Sequence, residues 1–405
     1  MAYDFIGVFH AQPYEILLGD VITHSFETDF DCRLLDLVDV MATIFCNDIT
    51  TERIINQRRK FDIVVPVANP DIWEEARETL KELLLFVSKD HLNIKFTKQD
   101  KRLIINNLPL RFGGFHNVSL LSGGLDSFCG AYRNIESGLK SIYCGYKLNT
   151  FEQGKQDSIK EFVTRRHTDS LLYFFKKLDI EKKEPTQATR SLLFLTLASV
   201  VAYANNVENV YIYENGILSL NPVKNGRFTT KTTHPRTIML YNRLLSILEI
   251  KIKVWNPFQF ETKGQILARL SKDFKNKIVD THTCSMSRQN RYIHEKKKQC
   301  GFCVPCILRK ISLASYDNEK YDVEYEVSYE GKLRHISDNY QISEYKSSVE
   351  YFKAFKADID SGDIYHLLGL KEGYYKEIDF LQKTDQMLRE FSKEVERYLR
   401  KYDIY

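Results

Sequence analysis

Two groups of residues have the types and spacing to do chemistry. The first is Ser122-Gly123-Gly124-Leu125-Asp126-Ser127, entered from the apolar run Val118–Leu121 and followed by a helix pattern from Phe128. Glycines in a strand-to-helix turn let the backbone take positive φ and bring its amides up to a phosphate. The helix start adds free N–H groups and the positive end of its dipole. Leu121 to Ser127 therefore form the expected phosphate-binding segment. The Ser122 and Ser127 hydroxyls can add hydrogen bonds, and Asp126 either holds Mg²⁺ or fixes the loop. The segment lacks the Gly-Lys-Ser/Thr ending of a Walker loop and the G-x-G-x-x-G dinucleotide fingerprint. A plain turn is the alternative. The second group is Cys284, Cys300, Cys303 and Cys306, a C-x15-C-x2-C-x2-C array at zinc-site spacing. Four thiolates leave no open position on a tetrahedral ion, so such a metal is structural. His282 is near enough in sequence to replace one ligand, and an iron–sulfur cluster fits the same spacing.

Two cations are placed to serve the phosphate turn. Arg190 opens an apolar helix beside Leu192 and Leu193, and Lys263 follows Thr262, a helix-capping residue. Both could reach a pyrophosphate from the carboxyl edge of a parallel sheet. Exposed helix-start charges are the plain alternative for each. Arg309-Lys310, just after the cysteines, reads as a solvated helix end.

The elements that must position these groups alternate from Asn117 onward. Strands are expected at Val118–Leu121, Ser141–Tyr146, Asn209–Tyr213 and Ile250–Trp255. Helices are expected from Phe128, over Gln156–Leu178, over Ala188–Ala204 after Pro185-Thr186, over Thr237–Leu248, and from Thr262 to Leu270. That order predicts an α/β fold with a doubly wound parallel sheet. Residues 1–115 read as a small α+β accessory domain, with a strand at Phe61–Val67, a helix from Pro70, strands at Asn93–Thr97 and Leu103–Ile105, and a joint at Arg111-Phe112-Gly113-Gly114. Residues 116–332 form the domain carrying both motifs. Residues 333–405 read as helical, and Ile378, Leu381, Leu388, Phe391, Val395 and Leu399 make one stripe, packed on its own domain or docking a partner.

The whole chain bounds the function class. Its 405 residues are 43% hydrophobic and 28% charged, with 58 basic against 54 acidic side chains and a net charge of +4. That balance excludes a dedicated nucleic-acid binder. There is no apolar run of bilayer length and no basic-then-apolar start, so a cytoplasmic protein without membrane contact is expected. Cys32, Cys46, Cys129 and Cys144 lie among apolar neighbours and read as buried hydrophobes. Cys129 is close to the phosphate turn but has no C-x-x-C partner, which argues against thiolation chemistry.

Taken together, Ser122–Ser127, Arg190, Pro257–Lys263 and Thr281-His282-Thr283-Cys284 leading to Cys300-Gly301-Phe302-Cys303-Val304-Pro305-Cys306 resemble the 7-cyano-7-deazaguanine synthase (QueC-like) family of the queuosine pathway. The resemblance spans about residues 117–312, half of the chain. It implies the fold of the PP-loop ATP pyrophosphatases, the adenine nucleotide alpha hydrolase-like type, with a structural Zn²⁺ on the four cysteines. It also implies an ATP-dependent ligase using Mg²⁺, in which the carboxylate of 7-carboxy-7-deazaguanine attacks the α-phosphorus to give an acyl adenylate and pyrophosphate. Ammonia then yields an amide, and a second activation yields the nitrile. Asp126, Arg190 and Lys263 would serve the phosphates, and Glu214, Asn215, Gly216 and Arg236 the deazaguanine base. The family's Asp-Tyr-Gly-Gln segment is replaced around Tyr143–Lys147, and its Tyr-Pro-Asp-Cys-Arg segment is echoed only by His234-Pro235-Arg236. Long chains of this kind resemble members associated with antiphage defence, of the type IV CBASS or Qat kind, where the activated base is joined to a protein amine. The expected partner is then an acceptor protein from the same operon, and the resemblance is compatible with a homodimer. A housekeeping synthase using ammonia and a non-catalytic nucleotide-binding subunit are the alternatives.

Overall fold

The computed structural model describes residues 2–5, 31–54, 58–99, 113–146, 150–175, 180, 182–184, 188–222, 231–286, 298–332, 339–364, 368 and 379–404. In chain order the elements are β1 (Ala2–Phe5), α1 (Cys32–Thr50), β2 (Lys60–Val67), α2 (Pro70–Ser88), β3 (His91–Lys98), β4 (Asn117–Leu120), α3 (Leu125–Glu136), β5 (Ser141–Tyr146), α4 (Thr150–Arg166) and β6 (Leu171–Phe175). There follow α5 (Arg190–Ala204), β7 (Asn209–Tyr211), α6 (Gly216–Leu220), α7 (Pro235–Ile247), β8 (Lys253–Trp255), α8 (Lys263–Ala268), α9 (Lys272–Asn276), α10 (Val304–Ala314), α11 (Asn339–Ser361) and α12 (Phe380–Lys401). The expected strand at Leu103–Ile105, the Arg111-Phe112 half of the joint, Lys147, the Pro185-Thr186 helix opening and Ile378 lie outside the described residues.

Six strands make one parallel sheet in the order β1-β6-β5-β4-β7-β8. The chain runs outward from β4 through β5 to β6, then returns to the other side of β4 for β7 and β8. This is the doubly wound pattern, and its switch point lies between β4 and β7. Ligands of such sheets bind at the carboxyl ends of the strands at this point. α5 is apolar on nearly every face because it is buried on nearly every face, packed between β4 and α1. The apolar core on that side runs on through α1, β2, α2 and β3, a small β-α-β unit whose two strands are also parallel.

One expected element is corrected. The helix expected over Gln156–Leu178 ends at Arg166, and Leu171–Phe175 is a strand buried along its whole length. A short continuous apolar run such as Leu171-Leu172-Tyr173-Phe174-Phe175 has no period of its own. In a parallel sheet covered on both faces it becomes a strand. The stripe on α12 packs inside the chain: Leu388, Phe391 and Val395 are buried against α10 and α11. Cys46, Cys129 and Cys144 are buried as expected, whereas Cys32 at the start of α1 is only partly so. Among the described residues no helix is long and apolar enough to cross a membrane.

Candidate active site

The phosphate turn begins where β4 stops. Leu121 N still donates to Cys144 O of β5 at 2.7 Å, and the chain then leaves the sheet. Gly123 sits at φ +81°, with the Gln156 Cα 3.0 Å from where a Cβ would be. A side chain there is excluded both by conformation and by the backbone of α4. The loop is held from inside: the Ser122 and Ser127 hydroxyls are 3.1 Å apart, and Ser127 Oγ donates to Gly124 O at 3.0 Å. Gly124 caps α3 without a side chain, so the helix start is lined by backbone. Gly123→Ala is expected to cost about 1–2 kcal/mol in left-handed strain plus the steric clash. Isothermal titration with ATP should show affinity reduced at least tenfold.

Asp126 is the meeting point of three segments. Its carboxylate accepts from Lys263 Nζ at 2.6 Å and from Asn215 Nδ2 at 2.9 Å. The Lys263 side chain is 1% exposed and that of Asp126 13%. Asn215 caps α6 through Leu218 N and also donates to Glu214 Oε1. Burial, and then the neighbouring Asp126 charge, hold the Glu214 carboxyl well above the usual carboxylate range. The turns after β4, β7 and β8 are thus drawn together at the switch point, with Lys263, Asp126, Asn215 and Glu214 in one chain of contacts. Asp126 ties its turn to the segments after β7 and β8 through Asn215 and Lys263.

The four cysteines also converge. Their sulfurs all lie within 4.8 Å of one another and all four residues are buried. Bonds of about 2.3 Å to a tetrahedral Zn²⁺ place sulfurs about 3.8 Å apart, and Cys300 Sγ is 3.8 Å from Cys306 Sγ. Spacing this close suits one ion better than a multi-iron cluster. Cys303 N points at Cys300 Sγ at 3.4 Å, and Gly301 makes the turn at φ +76°. Burial opposes ionisation of Cys303, yet hydrogen bonds from Cys284, Cys300 and Cys306 hold its thiol well below the usual range. The donor set therefore fits zinc without His282.

His282 has a different place. Its backbone N donates to Gly123 O at 3.1 Å, so the segment leading to the cysteines pairs alongside the phosphate turn. Gln299 straps that segment by donating from Nε2 to Thr281 O at 3.1 Å. The knuckle and the turn are thus mechanically one unit.

Residues 116–317 match the family model described as "Queuosine biosynthesis protein QueC". That segment is a QueC-like domain. The family is one of ATP-using enzymes whose chemistry concerns 7-deazaguanines. A search of curated proteins found no match to the chain.

Within the QueC-like domain an apolar slot opens beside the phosphate turn. It is lined by Leu121, Ser122, Gly145, Tyr146, Phe194 and Leu197. Tyr146 and Phe194 stack with centroids 4.8 Å apart, giving the slot a flat aromatic wall. Arg190 lies over the Phe194 ring at 5.6 Å. Arg236 is placed elsewhere: it donates to Glu82 of α2 at 2.7 Å and covers the Phe86 ring. The structure therefore brings Glu214 and Asn215 to Asp126, ties Gly216 to Glu261 just before α8, and engages Arg236 with the N-terminal unit.

Sequence spacing gave no sign of Gln156, Gln299, Tyr146 or Phe194 as site-builders, since each acts on a segment distant in sequence. Cys129 is a fully buried thiol, its acidity weakened by burial and then by the Asp126 charge. Arg309 and Lys310 overturn the expectation of a solvated helix end, since both are 0% exposed. Arg309 binds Asp322 at 2.7 Å and donates to Thr281 and Ile278. Lys310 Nζ donates to the carbonyls of Gly301, Val327 and Ser328. The segment from Asp322 to Ser328 wraps this helix face and supplies the acceptors. Arg309→Ala leaves the buried Asp322 carboxylate with its hydrogen bonds from Tyr325, Tyr329 and Val323 N but without its cation, which should cost about 3 kcal/mol. Thermal unfolding should show a correspondingly large drop in Tm.

Proposed function

We propose that this protein activates the carboxylate of 7-carboxy-7-deazaguanine with ATP and transfers the acyl group to an amine, most specifically a protein amine in an antiphage defence system. The observation that carries the reading is the Lys263–Asp126–Asn215 cluster closing over the Ser-Gly-Gly turn at the switch point of a QueC-like domain. In the first step a substrate carboxylate oxygen bonds to the α-phosphorus, and the bond to the β-phosphate oxygen breaks. On this reading the turn's amides, Arg190 and Lys263 take the charge of the leaving pyrophosphate. Mg²⁺, when bound, neutralises phosphate charge. In the second step an amine nitrogen bonds to the acyl carbon, AMP leaves with the bonding pair, and the nitrogen sheds a proton. That proton passes to water.

The protein-acceptor reading is supported by the half of the chain that lies outside residues 116–317 and by the replaced Tyr143–Lys147 segment. The test is incubation with ATP, Mg²⁺, 7-carboxy-7-deazaguanine and either ammonium or a protein encoded beside this one, followed by pyrophosphate assay and intact-mass measurement. Pyrophosphate release that depends on the deazaguanine, with an adduct on the protein, is the expected result. Brisk nitrile formation from ammonium with no adduct would assign the housekeeping synthase reaction. Absence of pyrophosphate release with either acceptor would leave a nucleotide-binding subunit.

A further inference from the structure

The segment following the QueC-like domain reaches into it at one charged residue. Glu394 lies on α12, beyond the matched residues, and is 0% exposed. Its Oε1 is hydrogen-bonded to Thr262 Oγ1, while its Oε2 is buried with no hydrogen-bond partner among the described residues. Thr262 caps α8 in a reciprocal capping box with Gln265. The next residue is Lys263, whose Nζ bonds Asp126 in the phosphate turn at 2.6 Å. Gly264 follows, and a Cβ there would run into the Glu394 carboxyl. A buried carboxyl from a separate segment thus sits on the first turn of the helix that aims the phosphate lysine.

We propose that Glu394 is a positioning residue for the phosphate site, fixing the first turn of α8 so that Lys263 points at the turn after β4. This rests on the function proposed above, in which Lys263 holds pyrophosphate. Burial pushes the Glu394 carboxyl up to about 8, so at neutral pH it is mostly protonated and carries a hydrogen-bond donor as well as an acceptor. That favours a directional hydrogen bond to Thr262 over an ion pair competing with Asp126 for the lysine. The other flank is built alike. Asp48 of α1, also outside the matched segment, accepts from Thr189 N and Oγ1 at 2.9 Å each, and Thr189 caps the helix that starts with Arg190. Each accessory segment therefore places one carboxyl on the cap before a cation, Lys263 or Arg190, to which the proposed function gives the phosphates.

The test uses the full chain, with inorganic pyrophosphate and Mg-ATP as probes in isothermal titration and Tm followed alongside. Glu394→Gln keeps the shape and the neutral hydrogen bond, and is expected to bind both within about twofold of wild type. Glu394→Met keeps the volume but loses the bond. It is expected to weaken pyrophosphate about tenfold while Tm holds or rises, since an apolar group suits the buried site. Thr262→Val should reproduce the loss, and the double variant should be no worse than the weaker-binding single, as expected for one shared interaction. Glu394→Met binding pyrophosphate as tightly as wild type would overturn the proposal, as would a loss of binding that only tracks a fall in Tm. If the wild type itself ignores both probes, the proposed function fails first, and the two failures are told apart.

Discussion

Stripping the metal, by a chelator or by Cys303→Ser, is expected to unfold the central domain and abolish nucleotide binding together. Zinc held by four thiolates contributes about 10–16 kcal/mol in small peptides, and that binding energy is folding energy. The knuckle here is not a peripheral staple. Its leading segment, Thr281 to Cys284, pairs with Gly123 through His282 and is strapped by Gln299 and Arg309. Losing one ligand frees that segment and with it one wall of the phosphate turn. A loss on that scale matches or exceeds the roughly 5–15 kcal/mol by which a domain is folded, so the variant should show no cooperative thermal transition. Elemental analysis should find one zinc per chain in the wild type and little in the variant. Unchanged Tm and unchanged ATP affinity after metal removal would sink the structural-metal reading.

Lys263→Met should lower the rate of pyrophosphate release by about 10²–10³-fold, the effect expected when one preorganised charge on a developing anion is removed. Two losses combine. The ammonium group no longer faces the phosphates, and Asp126 is left as an unpaired carboxylate at 13% exposure inside an anion site. For that reason Lys263→Met, Asp126→Asn should recover part of the loss in ATP affinity, though not in rate. Because Lys263 is nearly fully buried, the substitution preserves volume, and circular dichroism should show the fold intact. A variant that binds ATP and releases pyrophosphate at wild-type rates would remove Lys263 from the site.

Much of the site was legible because its parts are local. Ser122–Ser127 advertises itself by glycine position between an apolar run and a helix, and the cysteines by their spacing. The strand and helix order around β4, β5, β7 and β8 was readable too, from periodicity and caps. The strand β6 was not, since an unbroken apolar pentapeptide looks the same in a buried helix and a buried strand. Arg309 and Lys310 misled for a related reason. Two adjacent cations after a helical run look solvated until a later segment, from Asp322 to Ser328, supplies acceptors for both.

By itself, then, the amino-acid order determined the parallel α/β architecture, the strand-to-helix turn at Ser122–Ser127 and the convergence of the four cysteines. Each of these is encoded in residues within a few turns of one another or in a ligand spacing. Tertiary structure alone decided what Asp126 does, since its lysine partner is 137 positions away. It also decided that Arg236 faces Glu82, 154 positions away, and that Glu394 sits on Thr262, 132 positions away. Such pairings depend on how helices and strands pack. Sequence periodicity says which face of an element is buried, but not which distant side chain will meet it there.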